Sequence, residues 1–194
     1  MYKVIGTTKS RALRVMWMLN EIGEPYEQIK IVPQSEEARL YSPLGTLPAL
    51  VDGDEVLTDS VAIMTYLADK HSRLTSPAGT ISRAKQDAMT LWIIDEMDAV
   101  LRLSAKQRVY LPESIRVPKV QESLHYEFAR AAKVLSNRLE GAFLMGDSIT
   151  LPDILACHCL NWAVGAKFPR IDRKLSLYAR ALRARPAFKA AYAA

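Results

Sequence analysis

Asp59 and Ser60 place a carboxylate and a hydroxyl side by side, just before a run from Val61 to Leu67 whose apolar spacing is helical. A helix start leaves backbone N–H groups pointing outward, so the pair makes a small anion site with a negative group beside it. A second polar cluster, Thr7-Thr8-Lys9-Ser10, joins a short apolar run to a long one, and Ser10 stands at the head of the helix that follows. Its hydroxyl can cap that helix or face a ligand, and the two roles compete for one oxygen. Pro48 directly precedes the short apolar run Ala49-Leu50-Val51, where a proline must begin the strand or break its ladder, so a cis Leu47–Pro48 bond is expected. Cys157, His158 and Cys159 are metal-ligand types, but helical neighbours point different ways and no second ligand pair accompanies them. Core packing is expected there, with no metal. His71 and His125 have no catalytic partner visible in the sequence.

The elements that must position these residues follow from the pattern. Tyr2–Ile5 reads as a strand closed by Gly6, and the run from Arg11 to Ile22 as a helix apolar nearly all round. Tyr26–Val32 reads as a second, parallel strand, and the segment from Pro33 to Tyr41 as a short polar helix or turn. Asp52-Gly53 is a hairpin signal between two further strands, and a last helix runs to about His71. The order β-α-β-α-β-β-α describes a thioredoxin-like domain over residues 1–72. A linker-like stretch, Ser72 to Gly79, follows. Beyond it no strand signal remains, so residues 80–194 are expected to form an all-α helical bundle. Within that bundle a helical hairpin is expected to turn near Tyr110–Pro118. Thr150 and Asp153 have capping-box spacing before an apolar run, and Arg185-Pro186 splits the last two helices.

Composition bounds the function classes. The 194 residues are 49% hydrophobic, enough for one large core or two small ones. No apolar run approaches the roughly 20 residues that span a bilayer, and the start lacks a charged-then-apolar leader, so a cytoplasmic protein without a membrane partner is expected. The net charge of +5 is carried by basic residues scattered between acids, which argues against nucleic acid and leaves a slight bias toward anionic small molecules.

A proline before a strand, a hairpin and an Asp-Ser helix start, in that order, resemble the glutathione-binding half of the glutathione transferase family. Leu144 to Ile154 is similar to the capping-box motif of that family's helical domain, and Tyr178 to Phe188 to the C-terminus of its bacterial members. The resemblance covers essentially the whole chain. It implies activation of the glutathione thiol, with glutathione as co-substrate and detoxification as the role.

Residue by residue, the Ser10…Arg14 spacing resembles the catalytic-serine region of the serine-type, theta- and delta-like classes, which makes Ser10 the expected thiolate stabiliser, with Thr7 and Thr8 as alternatives. The resemblance assigns Ser60 to the γ-glutamyl carboxylate, Asp59 to its ammonium, and the Leu47 backbone to the cysteinyl residue, with Pro48 enforcing the geometry. Many members carry Lys or Gln where Thr46 stands, so Gln34, Arg11 or Lys9 is expected to serve the glycine end instead. No cysteine lies in the first loop, as mixed-disulfide chemistry would require. Thr7, Arg102, Lys106 and Tyr110 are expected to line the acceptor pocket. The reading is a homodimeric glutathione transferase acting on a hydrophobic electrophile. The competing readings are a glutathione-dependent isomerase, dehalogenase or peroxidase, and a non-catalytic binding module on the same fold.

Overall fold

The computed structural model describes residues 1–194 and divides them into two compact units, residues 1–80 with 183–194, and residues 81–182. In the first unit the chain runs β1 (Tyr2–Ile5), α1 (Ala12–Ile22), β2 (Tyr26–Ile29), α2 (Glu36–Arg39), β3 (Ala49–Asp52), β4 (Glu55–Thr58) and α3 (Ser60–His71). This is the expected thioredoxin-like order. The strands form one sheet in the order β2-β1-β3-β4, parallel between β1 and β2 and antiparallel elsewhere, with Val4 opposite Gln28 and Leu50.

Alternation along the strands divides the sheet's two faces. Ile5 and Ala49 pack with Ala38 of α2 and with Leu47 on one face. α1 is buried without a break from Ala12 to Leu19 because it packs on α3 and also on α9 (Pro186–Ala193), besides touching β1. β2 ends at Ile29 rather than at the expected Val32. It is an edge strand whose only neighbour is β1, and Gly6, just beyond β1, takes the last bond, from its N–H to the Ile29 carbonyl.

The second unit is helical, with α4 (Ile81–Ile93), α5 (Ala99–Ala105), α6 (Val120–Arg138), α7 (Leu151–Gly165) and the larger part of α8 (Arg173–Ala184). Two π-helical turns, Ile94–Asp98 and Lys106–Tyr110, flank α5, and the chain reverses between Tyr110 and α6 where the hairpin was expected. α7 begins with the Thr150/Asp153 capping box. The fully buried Asp153 accepts from the Leu144 and Thr150 N–H groups and from the Thr150 and Tyr178 hydroxyls, at 2.7–2.9 Å. Burial pushes its carboxyl up, against the pull of those four donors. Cys157 and Cys159 are both buried in α7.

The unit boundary differs from the expected division of 1–72 and 80–194 in its last twelve residues. α9 belongs with the first unit, where Phe188 meets Trp17 edge to face at 5.0 Å and Asn20 donates to the Ala187 carbonyl. An aromatic edge contact and a satisfied carbonyl outweigh sequence proximity to α8.

Candidate active site

The site grows from the head of α1. Ser10 lies in the turn before the helix, its N–H bonded to the Thr7 carbonyl. Its hydroxyl donates to the same carbonyl at 2.8 Å and accepts the Ala12 N–H at 3.2 Å. The hydroxyl therefore already caps the helix, while the side chain stays partly accessible. Thr7 and Thr8 are also partly accessible, and Lys9 is exposed.

Gly6 fixes what surrounds that hydroxyl. It holds φ +136°, and a Cβ there would stand 2.7 Å from the Ala12 Cβ, 3.3 Å from the Ser10 Oγ and 3.7 Å from the Leu47 Cβ. Ser10 and Leu47, 37 positions apart, thus flank one point. The Gly6 carbonyl is held in turn by the Gln28 amide at 3.0 Å. The Leu47–Pro48 bond is cis, and both residues are buried.

In the first turn of α1, the Arg14 guanidinium is fully buried and donates to the Ser60 hydroxyl at 3.2 Å. Ser60 is the first residue of α3. Asp59 before it holds φ +66°, in the left-handed region that costs a non-glycine residue on the order of 1–3 kcal/mol. Its Oδ1 accepts the Val61 and Ala62 N–H groups at 2.8 and 3.1 Å, and the residue is exposed. Ser10, Leu47 and Ser60, proposed separately from the sequence, thus all border the first two turns of α1.

From the sequence Arg14 was named only by its spacing from Ser10, and its bond to Ser60 was not foreseen. One arginine among Leu13, Val15, Met16 and Trp17 is a signal, because a charge on a helix buried all round requires a buried partner.

Other expected residues are placed as follows. Gln34 is exposed with φ +71°, its amide donating to the Leu44 carbonyl and its N–H to the Gly45 carbonyl. The Thr46 hydroxyl lies 3.0 Å from that of Ser42 and is engaged within its own loop. Arg102 on α5, Lys106 at the start of the second π turn and Tyr110 at its end are all exposed and belong to the second unit.

A family model described as "Glutathione S-transferase, N-terminal domain" matches residues 8–77. A glutathione S-transferase of Triticum aestivum is 29% identical over 190 residues, 92% of this chain and 86% of that protein. A glutathione transferase from Phanerochaete chrysosporium, solved in complex with oxidized glutathione, superposes with a TM-score of 0.80 at 25% identity over 99% of this chain and 94% of that one. The chain is thus similar to glutathione S-transferases over most of its length, and its residues 8–77 match their N-terminal domain.

The match runs from the Thr7–Ser10 loop past α3. It leaves the substrate class open. A maleylacetoacetate isomerase of Rhizobium meliloti is 28% identical over 75% of this chain and 73% of that protein. Two other curated relatives match over only 61% and 55% of their own length.

Proposed function

We propose that the chain is a serine-type glutathione transferase in which Ser10 holds the glutathione thiolate for attack on a hydrophobic electrophile. The supporting observation is the state of the Ser10 hydroxyl, which accepts the Ala12 N–H while donating to a backbone carbonyl. Accepting that bond makes the hydroxyl a better donor, and rotation exchanges the Thr7 carbonyl for an incoming sulfur. A thiol near 8.5 needs a shift of about two units, or roughly 3 kcal/mol, to be mostly ionised at neutral pH. One charge-assisted bond supplies about 1.5–3 kcal/mol. The start of α1 adds about 0.3–1 kcal/mol.

Tripeptide binding follows from the same groups. Ser60, backed by the Arg14 cation and the start of α3, receives the γ-glutamyl carboxylate. Oδ2 of Asp59 receives the ammonium while Oδ1 keeps its capping bonds. The Leu47 backbone pairs with the cysteinyl residue as a short added strand, in the geometry Pro48 sets. Gln34 serves the glycine end, with Thr46 engaged by Ser42. Glutathione is a co-substrate rather than a resident cofactor, and the enzyme works in the cytoplasm as a homodimer. The Rhizobium relative supports one second reading, a glutathione-dependent isomerase, which would bind glutathione yet leave aryl halides untouched.

Ultraviolet titration of the thiolate of bound glutathione, in the intact protein and in Ser10→Ala, tests the proposal. The bound thiol is expected to ionise near or below neutrality and to return toward about 8.5 in the variant. A lowered value that survives Ser10→Ala assigns the role to Thr7 or Thr8, and no thiolate at saturating glutathione ends the reading.

A further inference from the structure

We propose that the end of the helical unit built from residues 106–119 and 164–170 docks on an anionic phospholipid surface. The two segments are far apart in sequence, and the Arg108 guanidinium joins them by donating to the Ala166 carbonyl at 2.8 Å. Phe168 anchors the second segment on α6, edge to face with His125 and Phe128 at 4.6 and 5.2 Å. Together the segments carry six cations, Lys106, Arg108, Arg116, Lys119, Lys167 and Arg170, against one acid, Glu113. Because the cations come from separate stretches, the sequence alone shows them only as scattered charge.

The same surface exposes apolar groups that a solvated loop has no reason to display. Val109, Tyr110, Ile115 and Val117 keep 54–64% of their surface accessible, and Val164 keeps 70%. The backbone beneath them is nevertheless satisfied. Arg116 donates to the Val109 and Leu111 carbonyls, and the Val117 N–H donates to the Gln107 side chain. Apolar side chains can therefore enter a headgroup layer without burying unpaired backbone groups, which is the condition for partial insertion.

A lipid surface is the occupant that accounts for both halves of this composition. Aliphatic and tyrosyl groups sit at the acyl boundary while lysine and arginine stay at the anionic headgroups, their stems lying along the apolar layer. A nucleic acid would account for the cations alone, since backbone recognition takes phosphate contacts and gains nothing from exposed valine and isoleucine. No helix of the chain is long and apolar enough to cross a membrane, so the contact is peripheral.

Co-sedimentation of the full chain with phosphatidylcholine vesicles containing about 30 mol% phosphatidylglycerol, against pure phosphatidylcholine, tests the assignment. Binding is expected on the anionic vesicles only, weakened by salt. It is expected to be at least roughly tenfold weaker in Lys119→Glu/Arg170→Glu. Val109→Asp/Ile115→Asp is expected to bind measurably more weakly at the same charge composition of lipid. Circular dichroism verifies that each variant is folded, and the milder Lys119→Gln/Arg170→Gln carries the test if a reversal is not. Absence of binding to anionic vesicles, equal binding to both vesicle types, or variants that bind like the parent chain overturns the proposal. So does retention on heparin without vesicle binding, which would assign the patch to a soluble polyanion.

Discussion

The guanidinium of Arg14 and the hydroxyl of Ser60, 46 positions apart and both buried, meet at 3.2 Å and tie the first turn of α1 to the first residue of α3. A buried cation here needs this acceptor, and the acceptor is oriented by it. Ser60→Ala is therefore expected to cost about 1–3 kcal/mol of stability. It should also weaken glutathione binding, since the carboxylate loses one of its donors. Thermal unfolding and calorimetric titration read the two effects separately, and a variant that is destabilised but binds normally would remove Ser60 from the site.

Asp59 holds two tasks on two oxygens, and Asp59→Asn separates them. The amide oxygen of Asn caps a helix as well as a carboxylate does, so the melting temperature should stay within a few degrees. The charge is lost, and glutathione affinity should fall by about one to two powers of ten, the range of a charged hydrogen bond. An unchanged affinity would leave Asp59 as a cap only.

Gly6→Ala tests how the first loop is set. The added methyl would meet Ala12 at 2.7 Å and crowd the Ser10 hydroxyl at 3.3 Å, at a φ of +136° that L residues rarely adopt. Both costs fall on the same peptide, so a loss of about 2 kcal/mol or more is expected. Activity should fall further than stability explains, because the backbone relaxes toward Ser10. Activity measured well below the variant's melting temperature isolates that part.

The pair Asp52 and Lys70 gives a pH dependence of known sign. Hydrogen bonds from the Lys70 ammonium and the Tyr66 hydroxyl, each at 2.6 Å, hold the Asp52 carboxyl below its ordinary range. A depressed acid stabilises the fold above its unfolded value and loses that contribution as pH falls through the folded one. Asp52→Asn should therefore melt slightly below the parent chain at pH 7 and match it in strong acid. The difference is small because the groups are exposed. Parallel melts at both pH values check it.

Local signals were legible in the sequence, and long-range ones were not. Asp52-Gly53, Thr150 with Asp153, and Pro48 before its strand announce themselves because the chemistry acts within a few residues. Ser10 and Asp59-Ser60 could be placed at helix starts for the same reason. That Arg14 reaches Ser60, that Gly6 leaves room for Ser10 beside Leu47, and that Arg108 joins two basic segments all depend on packing between distant parts. The Ser10 cap was weighed against a catalytic hydroxyl from sequence. The structure shows the hydroxyl accepting the Ala12 N–H while donating its hydrogen to the Thr7 carbonyl.

The placement of α9 on α1 was the feature least visible in sequence, and an ion pair adds to the Phe188 and Ala187 contacts that hold it. Arg185 grips Glu21 with two parallel bonds of 2.6 and 2.7 Å, across 164 positions, and the same carboxylate accepts the Trp17 indole N–H at 2.9 Å. The Glu21 side chain is 8% exposed, so removing the arginine leaves a largely buried carboxylate with the indole as its remaining strong donor. Arg185→Ala is expected to cost about 3 kcal/mol, the lower end for breaking a buried pair. Arg185→Lys should recover only part of that, because an ammonium cannot reproduce the planar two-bond grip. The double variant Glu21→Gln/Arg185→Ala should be more stable than Arg185→Ala alone, since the stranded charge is gone. Denaturant unfolding of the three proteins decides the matter: if the single and double variants unfold alike, the cost lies in lost packing of α9 on α1 and not in the unpaired carboxylate.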